Sequence, residues 1–314
     1  MDIRQLRYFI CIVELKSFSK AAEQLGIAQS ALSFHVRNME ADLGAKLLAR
    51  NSRGVTPTEA GKTLFEHAGT VLRQLAQIRD EIRGQEDNPR GLVTVGVPSS
   101  VSMVLTVPLI EAVQEEFPNI SLHVVETMSG FLEEWVRNGR LDLAILYNAE
   151  VVESLLAEPV LNEELYLIAP AEERYRKRKT VKFSQLPNFP LILPGRPHGL
   201  RMLIDSYATK HDITLNVKVE LDALPQIKAL VSKGIGYSIL APAAVSEELK
   251  EGGLSALRII DPAISRSVAL VSSTQRTLPR AGETVSRAIV SIARQLVEEG
   301  TWPGKLINGM SRRT

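Results

Sequence analysis

The 314-residue sequence predicts an α/β chain in three parts. An N-terminal winged helix-turn-helix, all-α with a small wing, is followed by a long linker helix and then by a two-lobed α/β domain. Three patterns carry this prediction: two short helices joined through a glycine near the N-terminus, apolar residues at heptad spacing, and alternating strand and helix signals from residue 91 onward. The corresponding boundaries are 1–57, 58–90 and 91–300, with a basic tail at 301–314 that we expect to be loosely ordered.

The two N-terminal helices follow from small apolar residues and a glycine turn. Ala21, Ala22 and Leu25 share one face of a short helix, and Gly26 follows where a left-handed C-terminal cap is needed. The next helix has an apolar face at helical spacing, which predicts that it packs inward against the first. This face consists of Leu32, Val36, Met39 and Leu43.

The opposite face of that second helix is polar and is expected to face solvent. Gln29, Ser33 and Arg37 lie on it, with Ser30 and Phe34 beside them. A helix of this kind fits a DNA major groove, where glutamine pairs with adenine, arginine with guanine or phosphate, and an aromatic edge with a thymine methyl group. The alternative, an ordinary amphipathic surface helix, is disfavoured by the basic segment that follows.

The basic segment is a predicted hairpin, which we call the wing. Residues 51–54, Asn-Ser-Arg-Gly, form a turn sequence between apolar residues. Arg50 and Arg53 cluster there with Lys46 and are suited to contact phosphates, although a solvated basic hairpin would show the same composition. The candidate DNA-binding residues are Ser19, Gln29, Ser30, Ser33, Phe34, Arg37, Arg50 and Arg53.

The segment from Leu6 to Gly61 resembles the DNA-binding module of the LysR-type transcriptional regulators. The resemblance rests on AAEQLGIAQSALS, NMEADLG and LLARNSRGVTPTEAG, in that order and at the extreme N-terminus. The family commonly has proline where Ser30 stands and a longer polar or basic side chain where Phe34 stands. We expect Ser30 to satisfy an amide hydrogen near the helix N-terminus in place of proline. The resemblance implies two partners, double-stranded promoter DNA and RNA polymerase.

The next pattern predicts a long helix that pairs two subunits. Thr56 is the expected cap, Pro57 suits the first turn, and Glu59 completes a capping box. Apolar residues then recur at alternating spacings of four and three, which is a heptad pattern. The heptad residues are Leu64, Ala68, Val71, Leu75, Ile78 and Ile82. Packing onto the chain's own domain is the alternative to a dimer, and the resemblance implies dimers that commonly form tetramers; the sequence does not decide between them.

From residue 91 onward, strand patterns alternate with helix patterns, which predicts parallel α/β architecture. The segments FPNISLHVVE, NGRLDLAI and KGIGYSILAP resemble the effector-binding domain of the same family, most of all regulators of the nitrogen-assimilation type. That domain is itself similar to type II periplasmic binding proteins. We assign lobe 1 to residues 91–161 and 265–300, and lobe 2 to residues 162–264.

A binding site for a small organic anion is predicted at the carboxyl ends of these strands. Ser99 and Ser100 follow the first strand and open a helix, whose free amides and positive dipole end attract negative charge. The alternative is that these two serines only cap their helix. The candidate effector-binding residues are Ser99, Ser100, Thr127, Met128, Tyr147, Asn148, Arg196 and His198.

The charge distribution favours a modular DNA-binding protein. The formal net charge of +1 divides into +3 for residues 1–62, which hold nine Lys and Arg against six Asp and Glu, and −2 for the remainder. A mildly basic N-terminal part suits local DNA contact better than the coating of nucleic acid. The alternative function is a cytoplasmic protein that binds and sequesters a small molecule without regulatory DNA binding.

The sequence gives no sign of an enzyme. Its five histidines, at 35, 67, 123, 198 and 211, include no pair at metal-ligand spacing, and no nucleophile motif is present. We therefore expect no catalytic residue, metal or cofactor. The single cysteine, Cys11, is expected to be a small core residue. With no signal-peptide pattern, and with glycine and proline interrupting the apolar stretch 92–110, we expect a cytoplasmic protein without a membrane span.

Overall fold

The computed structural model describes residues 1–51, 54–82, 89–149, 154–196 and 198–307. The chain divides into two units, one formed chiefly by residues 1–85 and the other by the rest. The first unit contains α1 (Ile3–Leu15), α2 (Phe18–Leu25), α3 (Gln29–Leu43), β1 (Leu48–Asn51), β2 (Gly54–Pro57) and α4 (Glu59–Ile82). This order confirms the predicted winged helix-turn-helix followed by a long helix.

The three-helix core of the first unit is built from the apolar faces of α1, α2 and α3. Phe9, Ile12 and Leu32 are fully buried in it, and Cys11 is a buried free thiol, as expected for a core residue. Ser17 caps α2, and Gly26 ends it with a φ of 65° that a side chain would oppose.

The start of α3 differs from the prediction for Ser30. Ala28 occupies the N-cap position and makes no side-chain cap hydrogen bond. Ser30 is the second helical residue, and its side chain is exposed. The expected capping role of Ser30 is therefore wrong, because the chain enters the helix two residues before it.

The predicted capping box of α4 is also wrong. Pro57 is the last residue of β2 and Thr56 lies within that strand, so neither can begin the helix. Thr58 caps it instead, since its Oγ1 accepts a hydrogen bond from the Gly61 amide at 3.1 Å and donates to the Lys46 carbonyl at 2.6 Å. Strand pairing with β1 extends the wing to Pro57 and moves the helix start by two residues.

The heptad residues of α4 fall into two groups. Leu64 packs against Phe9, Met39 and Leu47 of its own domain, and Ala68 is buried. Further along, Val71 and Ile78 expose 40% and 49% of their surface in the single chain, and Leu75 is half-buried. The side chain of Ile82 lies outside the described residues.

The second unit begins with one lobe and crosses to another. The first lobe opens with β3 (Gly91–Val97), α5 (Ser99–Glu116), β4 (Ile120–Glu126), α6 (Ser129–Arg137), β5 (Leu143–Tyr147) and β6 (Leu155–Glu164). The second lobe contains β7 (Tyr166–Pro170), α7 (Glu173–Lys177), β8 (Thr180–Lys182), β9 (Leu191–Leu193), α8 (Gly199–Lys210), β10 (Val217–Glu220), α9 (Leu224–Ser232), β11 (Ser238–Leu240), α10 (Ser246–Lys250) and β12 (Leu254–Ile260). The chain returns to the first lobe with β13 (Ser265–Ser273), α11 (Arg280–Glu298) and β14 (Lys305–Leu306).

The first-lobe sheet is mixed, with the strand order β14-β6-β13-β5-β3-β4. Strand β3 pairs in parallel with β4 and β5, whereas β13 runs antiparallel to both β5 and β6. The second lobe has a four-stranded sheet of order β11-β7-β12-β8 and a parallel pair of β9 and β10. The two-lobed α/β class is confirmed, and the predicted parallel pairing holds for β3 with β4 and β5, whereas the returning strand β13 joins the sheet in the opposite direction.

The tail is more ordered than the sequence predicts. Trp302 exposes only 1% of its surface within the first-lobe core, and Lys305 and Leu306 pair with β6. Gly304 permits this approach, since a Cβ there would lie 2.7 Å from Leu161 Cδ1 and 3.0 Å from the Asn162 carbonyl. The expectation of a loose tail is therefore wrong for residues 301–307, and residues 308–314 lie outside the described part. None of the described helices has the length and apolar character of a membrane span.

Replacing Thr58 with alanine should destabilise the N-terminal domain. The substitution removes the α4 cap and the bond to Lys46, and a lost N-cap side chain typically costs about 1 kcal/mol. Chemical denaturation followed by circular dichroism would measure the loss, with Thr58→Ser as the conservative control. Equal unfolding midpoints for the alanine and serine variants would contradict the assigned cap.

Candidate DNA interface and effector site

The face of α3 that the sequence predicts to read DNA is open to solvent. Gln29, Ser30 and Arg37 are exposed, Phe34 exposes 55% of its surface, and Ser33 is half-buried. The Ser19 hydroxyl of α2 donates to Gln29 Oε1 at 3.1 Å, so these two candidates lie together at the helix N-terminus. An amide fixed in this way can present its remaining hydrogen-bonding groups to a base edge at a smaller entropic cost.

The wing is an antiparallel hairpin in which Leu48 pairs with Pro57 and Asn51 with Gly54. Gly54 has a φ of 118° and lies against α1, where a Cβ would come within 2.6 Å of the Lys16 carbonyl. The Val55 amide donates to the same carbonyl at 3.0 Å and ties the wing to the helices. The candidate side chains of Arg50 and Arg53 lie outside the described residues.

Glu40, near the end of α3, holds the base of the wing, which the sequence analysis did not foresee. Its carboxylate accepts hydrogen bonds from the amide of Leu47 at 2.9 Å and from Lys46 Nζ at 2.7 Å. Burial alone would raise the pKa of Glu40, but these donors and the Leu48 amide outweigh it and leave that pKa below its usual value. The ionised carboxylate therefore fixes α3 to the first wing strand.

The predicted anion site begins where β3 ends. Pro98 occupies the N-cap of α5 without a side-chain hydrogen bond, so Ser99 and Ser100 are the first two helical residues and do not act as caps. The Ser100 hydroxyl instead forms a 2.6 Å hydrogen bond with the Tyr147 hydroxyl at the end of β5. The alternative of a purely capping role is therefore wrong, and two of the sequence candidates, Ser100 and Tyr147, are brought into contact.

A buried arginine that the sequence analysis missed completes this site. Arg266 on β13 places its guanidinium carbon 3.5 Å from the centre of the Tyr147 ring, and its Nη2 donates to Ser100 Oγ at 3.3 Å. Its Nε donates to Glu163 Oε1 at 2.7 Å. Arg266 and Glu163 expose 4% and 2% of their side chains, so the ion pair is shielded from water.

The protonation states of this cluster follow from its burial. Burial raises the pKa of Tyr147 to about 12 even though the charge of Arg266 acts to lower it, so the hydroxyl stays protonated at neutral pH. Burial also acts to lower the pKa of Arg266, but Tyr147 and Glu163 outweigh this effect and raise it. The site therefore offers a permanent cation and a neutral phenol beside the N-terminus of α5.

The other candidates lie in three different settings. The Thr127 amide donates to the Val97 carbonyl at 3.2 Å, which places Thr127 and its exposed neighbour Met128 beside the end of β3. Asn148 has a left-handed φ of 52°, and its Oδ1 accepts a hydrogen bond from the Ser267 amide at 3.0 Å, so its side chain anchors β13. Arg196 exposes 73% of its side chain and pairs with Asp205 at 2.9 Å.

His198 caps α8 of the second lobe. Its Nδ1 accepts a hydrogen bond from the Leu200 amide at 3.2 Å. Burial lowers the pKa of His198, Arg266 lowers it further, and Asp222 acts in the opposite sense. Arg266, on β13 of the first lobe, therefore contributes to lowering the pKa of a residue in the second lobe. Among the described residues, no group of three or more His, Cys, Asp or Glu side chains could hold a metal ion.

Comparison with known proteins identifies the family. A family model described as the LysR substrate binding domain matches residues 86–293, and one described as a bacterial regulatory helix-turn-helix protein of the lysR family matches residues 3–62. The chain belongs to the LysR family. It is a transcriptional regulator with a DNA-binding helix-turn-helix and an effector-binding domain, and the family relatives are regulators and not enzymes.

Two relatives place the regulator in the nac-like subgroup. It is 31% identical over 293 residues to the nitrogen assimilation regulatory protein nac of Klebsiella aerogenes, and the alignment covers 93% of this chain and 95% of the relative. The nac protein of Escherichia coli strain K12 is 31% identical over 307 residues, covering 96% and 99%. Both alignments therefore span the DNA-binding and effector-binding domains.

Two solved structures show the same fold. Full-length CbnR in complex with its target DNA is 20% identical, with a TM-score of 0.71 over 94% of this chain and 99% of that chain. A full-length OxyR variant from Pseudomonas aeruginosa is 23% identical, with a TM-score of 0.70 over 94% and 95%. At this level of identity the likeness concerns the architecture alone.

The lowered pKa of His198 predicts a specific loss of stability in acid. As the pH falls below about 6.5, the ordinary histidine value, the unfolded chain takes up a proton before the folded chain does, so the free energy of unfolding decreases. His198→Asn keeps an acceptor for the Leu200 amide but does not titrate. Thermal midpoints at pH 8 and pH 5.5 should fall further for the wild type than for the variant, and an identical fall would contradict the assignment.

Proposed function

We propose that this regulator binds double-stranded promoter DNA through α3 and the wing and responds to a small organic anion bound beside Ser99 and Ser100. The observation that carries the anion proposal is Arg266, a buried guanidinium that already donates to Ser100 and lies against Tyr147. A buried fixed cation next to a helix N-terminus favours a carboxylate or a similar anion over a neutral ligand.

The proposed DNA contacts divide into base contacts and phosphate contacts. Gln29 and Arg37 are exposed on α3, where they can reach base edges, and Phe34 can contact a thymine methyl group. The wing arginines, Arg50 and Arg53, are assigned to phosphates on the basis of the sequence. Phosphate contacts contribute affinity that does not depend on base sequence and that weakens with salt, whereas the α3 contacts supply specificity.

Self-association of the regulator is proposed from α4. Val71 and Ile78 are large apolar side chains that the single chain leaves exposed at heptad positions. A partner helix that covered such a stripe would gain roughly 25 cal/mol for each Å² of apolar surface buried. We assign α4 to a dimer contact, with dimers or tetramers as the DNA-bound forms, RNA polymerase as a further partner and the cytoplasm as the location.

The effector site is proposed to bind its anion with three kinds of donor. The free amides at the start of α5 supply the helix dipole, Ser100 and Tyr147 supply hydroxyl groups, and Arg266 supplies charge. Because Glu163 already neutralises Arg266, an incoming carboxylate brings a net negative charge that only the helix dipole and neighbouring donors balance.

Binding titrations with DNA test the regulatory function. The wild type is expected to prefer a fragment from upstream of its own gene over a scrambled fragment, and to keep that preference at the higher of two salt concentrations. Arg37→Ala should weaken specific binding, whereas Arg53→Ala should weaken binding to all sequences and reduce the salt slope by about 1.

Arg287→Ala, in the effector-binding domain, is the control. Unchanged affinity in both test variants would contradict the proposed orientation of α3, and a wild type that bound no DNA would support a sequestering protein.

Calorimetric titration with sulfate and succinate tests the anion site. Ser100→Ala removes the hydroxyl group shared by Tyr147 and Arg266, and a lost hydrogen bond to a charged ligand should weaken binding about tenfold. Ser102→Ala is the matched control, because its hydroxyl group bonds to Thr106 one helical turn further along. Failure of the wild type to bind either probe, or equal binding by Ser100→Ala, would contradict the anion proposal.

A further inference from the structure

The C-terminal segment, residues 302–307, is built into the lobe that carries the proposed anion site. Trp302 is buried in the first-lobe core, Lys305 and Leu306 pair with Asn162 and Leu161 of β6, and the Ile307 amide donates to the Val160 carbonyl at 3.0 Å. This segment lies beyond residues 86–293, the part that the family model for this domain matches. It covers the edge of β6 immediately beside Glu163.

Trp302 also makes a polar contact that core packing alone does not require. Its indole Nε1 donates to Glu163 Oε2 at 3.0 Å, while the other carboxylate oxygen accepts from Arg266. Each oxygen of the buried carboxylate therefore has its own donor, and both donors come from distant parts of the chain. A buried carboxylate is held in a single orientation when both of its oxygens accept hydrogen bonds from fixed donors.

The orientation of Glu163 in turn fixes that of Arg266. The guanidinium is planar, and its Nε and Nη2 both contact Glu163 Oε1, at 2.7 and 2.6 Å. The carboxylate therefore sets the plane in which the guanidinium stacks on Tyr147 and the direction in which Nη2 reaches Ser100. Without the indole donor, Glu163 Oε2 would lose its fixed partner and the carboxylate could rotate about its terminal torsion. The Arg266 guanidinium would then no longer be held in one orientation relative to Ser100 at the N-terminus of α5.

We propose that Trp302 is a positioning residue for effector binding, which aligns Arg266 at Ser100 by holding the carboxylate of Glu163. The inference rests on the proposed anion site and adds to it an element outside the strands and loops that line it. The C-terminal segment thereby sets the affinity for a small carboxylate or sulfate, and it transmits occupancy of the site to a buried indole group.

The first arm of the test compares anion binding by two destabilised variants. Trp302→Phe keeps an aromatic side chain in the core but removes the N–H donor. Val285→Ala removes buried volume from the same core and leaves the polar cluster intact. Calorimetry with sulfate and succinate should show binding about fivefold weaker for Trp302→Phe and unchanged for Val285→Ala, with thermal midpoints measured on both proteins.

The second arm uses Trp302 as a reporter. The chain has two tryptophans, so Trp135→Phe leaves Trp302 as the sole indole fluorophore. Saturating sulfate or succinate should shift the emission of this variant, because an anion that draws on Arg266 changes the field at the carboxylate bonded to the indole. The shift should disappear when Ser100→Ala is added.

The outcomes separate this inference from the proposed function. Wild-type binding of a probe with equal affinity in Trp302→Phe, or with no emission shift in Trp135→Phe, overturns the positioning role and leaves the anion site intact. Absence of binding by the wild type overturns both. If Trp302→Phe does not fold, the emission titration decides alone, since it uses the native indole.

Discussion

The effector-binding domain depends on the buried ion pair of Arg266 and Glu163. Removing two charges from water costs several kcal/mol for each ion, and the interior recovers this only when the remaining hydrogen-bonding positions are filled. Here Ser100 and Trp302 fill two of these positions, and the Tyr147 ring stacks on the guanidinium, so α5, the C-terminal segment and β5 are all tied to the β6–β13 pair. Loss of either charged residue would leave the other charge buried without a partner, which in buried ion pairs typically lowers the free energy of unfolding by about 3–5 kcal/mol.

The N-terminal domain uses a buried carboxylate in a related way. Glu40 joins α3 to the start of β1 through the Leu47 amide and Lys46, so the helix proposed to read bases and the hairpin proposed to contact phosphates share one anchor. The difference lies in exposure. Lys46 is largely in solvent and its ion pair with Glu40 is screened, whereas the backbone amide bond is buried and contributes most of the positional restraint.

Local sequence patterns predicted the helices and the family but not the buried ion pair at the centre of the proposed effector site. Gly26 and the apolar spacing of α3 are local signals, and both predicted helices formed. Glu163 and Arg266 are 103 residues apart and meet only because β13 returns antiparallel beside β6. Strand β6 itself was missed, since Glu158, Pro159 and Asn162 interrupt its apolar alternation. Thr56 and Pro57 carried a valid capping signature, but pairing with β1 placed them in a strand.

A neutralised arginine is well suited to a regulator that must be stable with and without its effector. An unpaired buried guanidinium would need the anion in order to fold, whereas the pair with Glu163 satisfies Arg266 in the free protein. An anion that makes the same contacts in two conformations of the regulator does not change the equilibrium between those conformations. A response to the anion therefore requires a group whose distance from the anion differs between the two conformations.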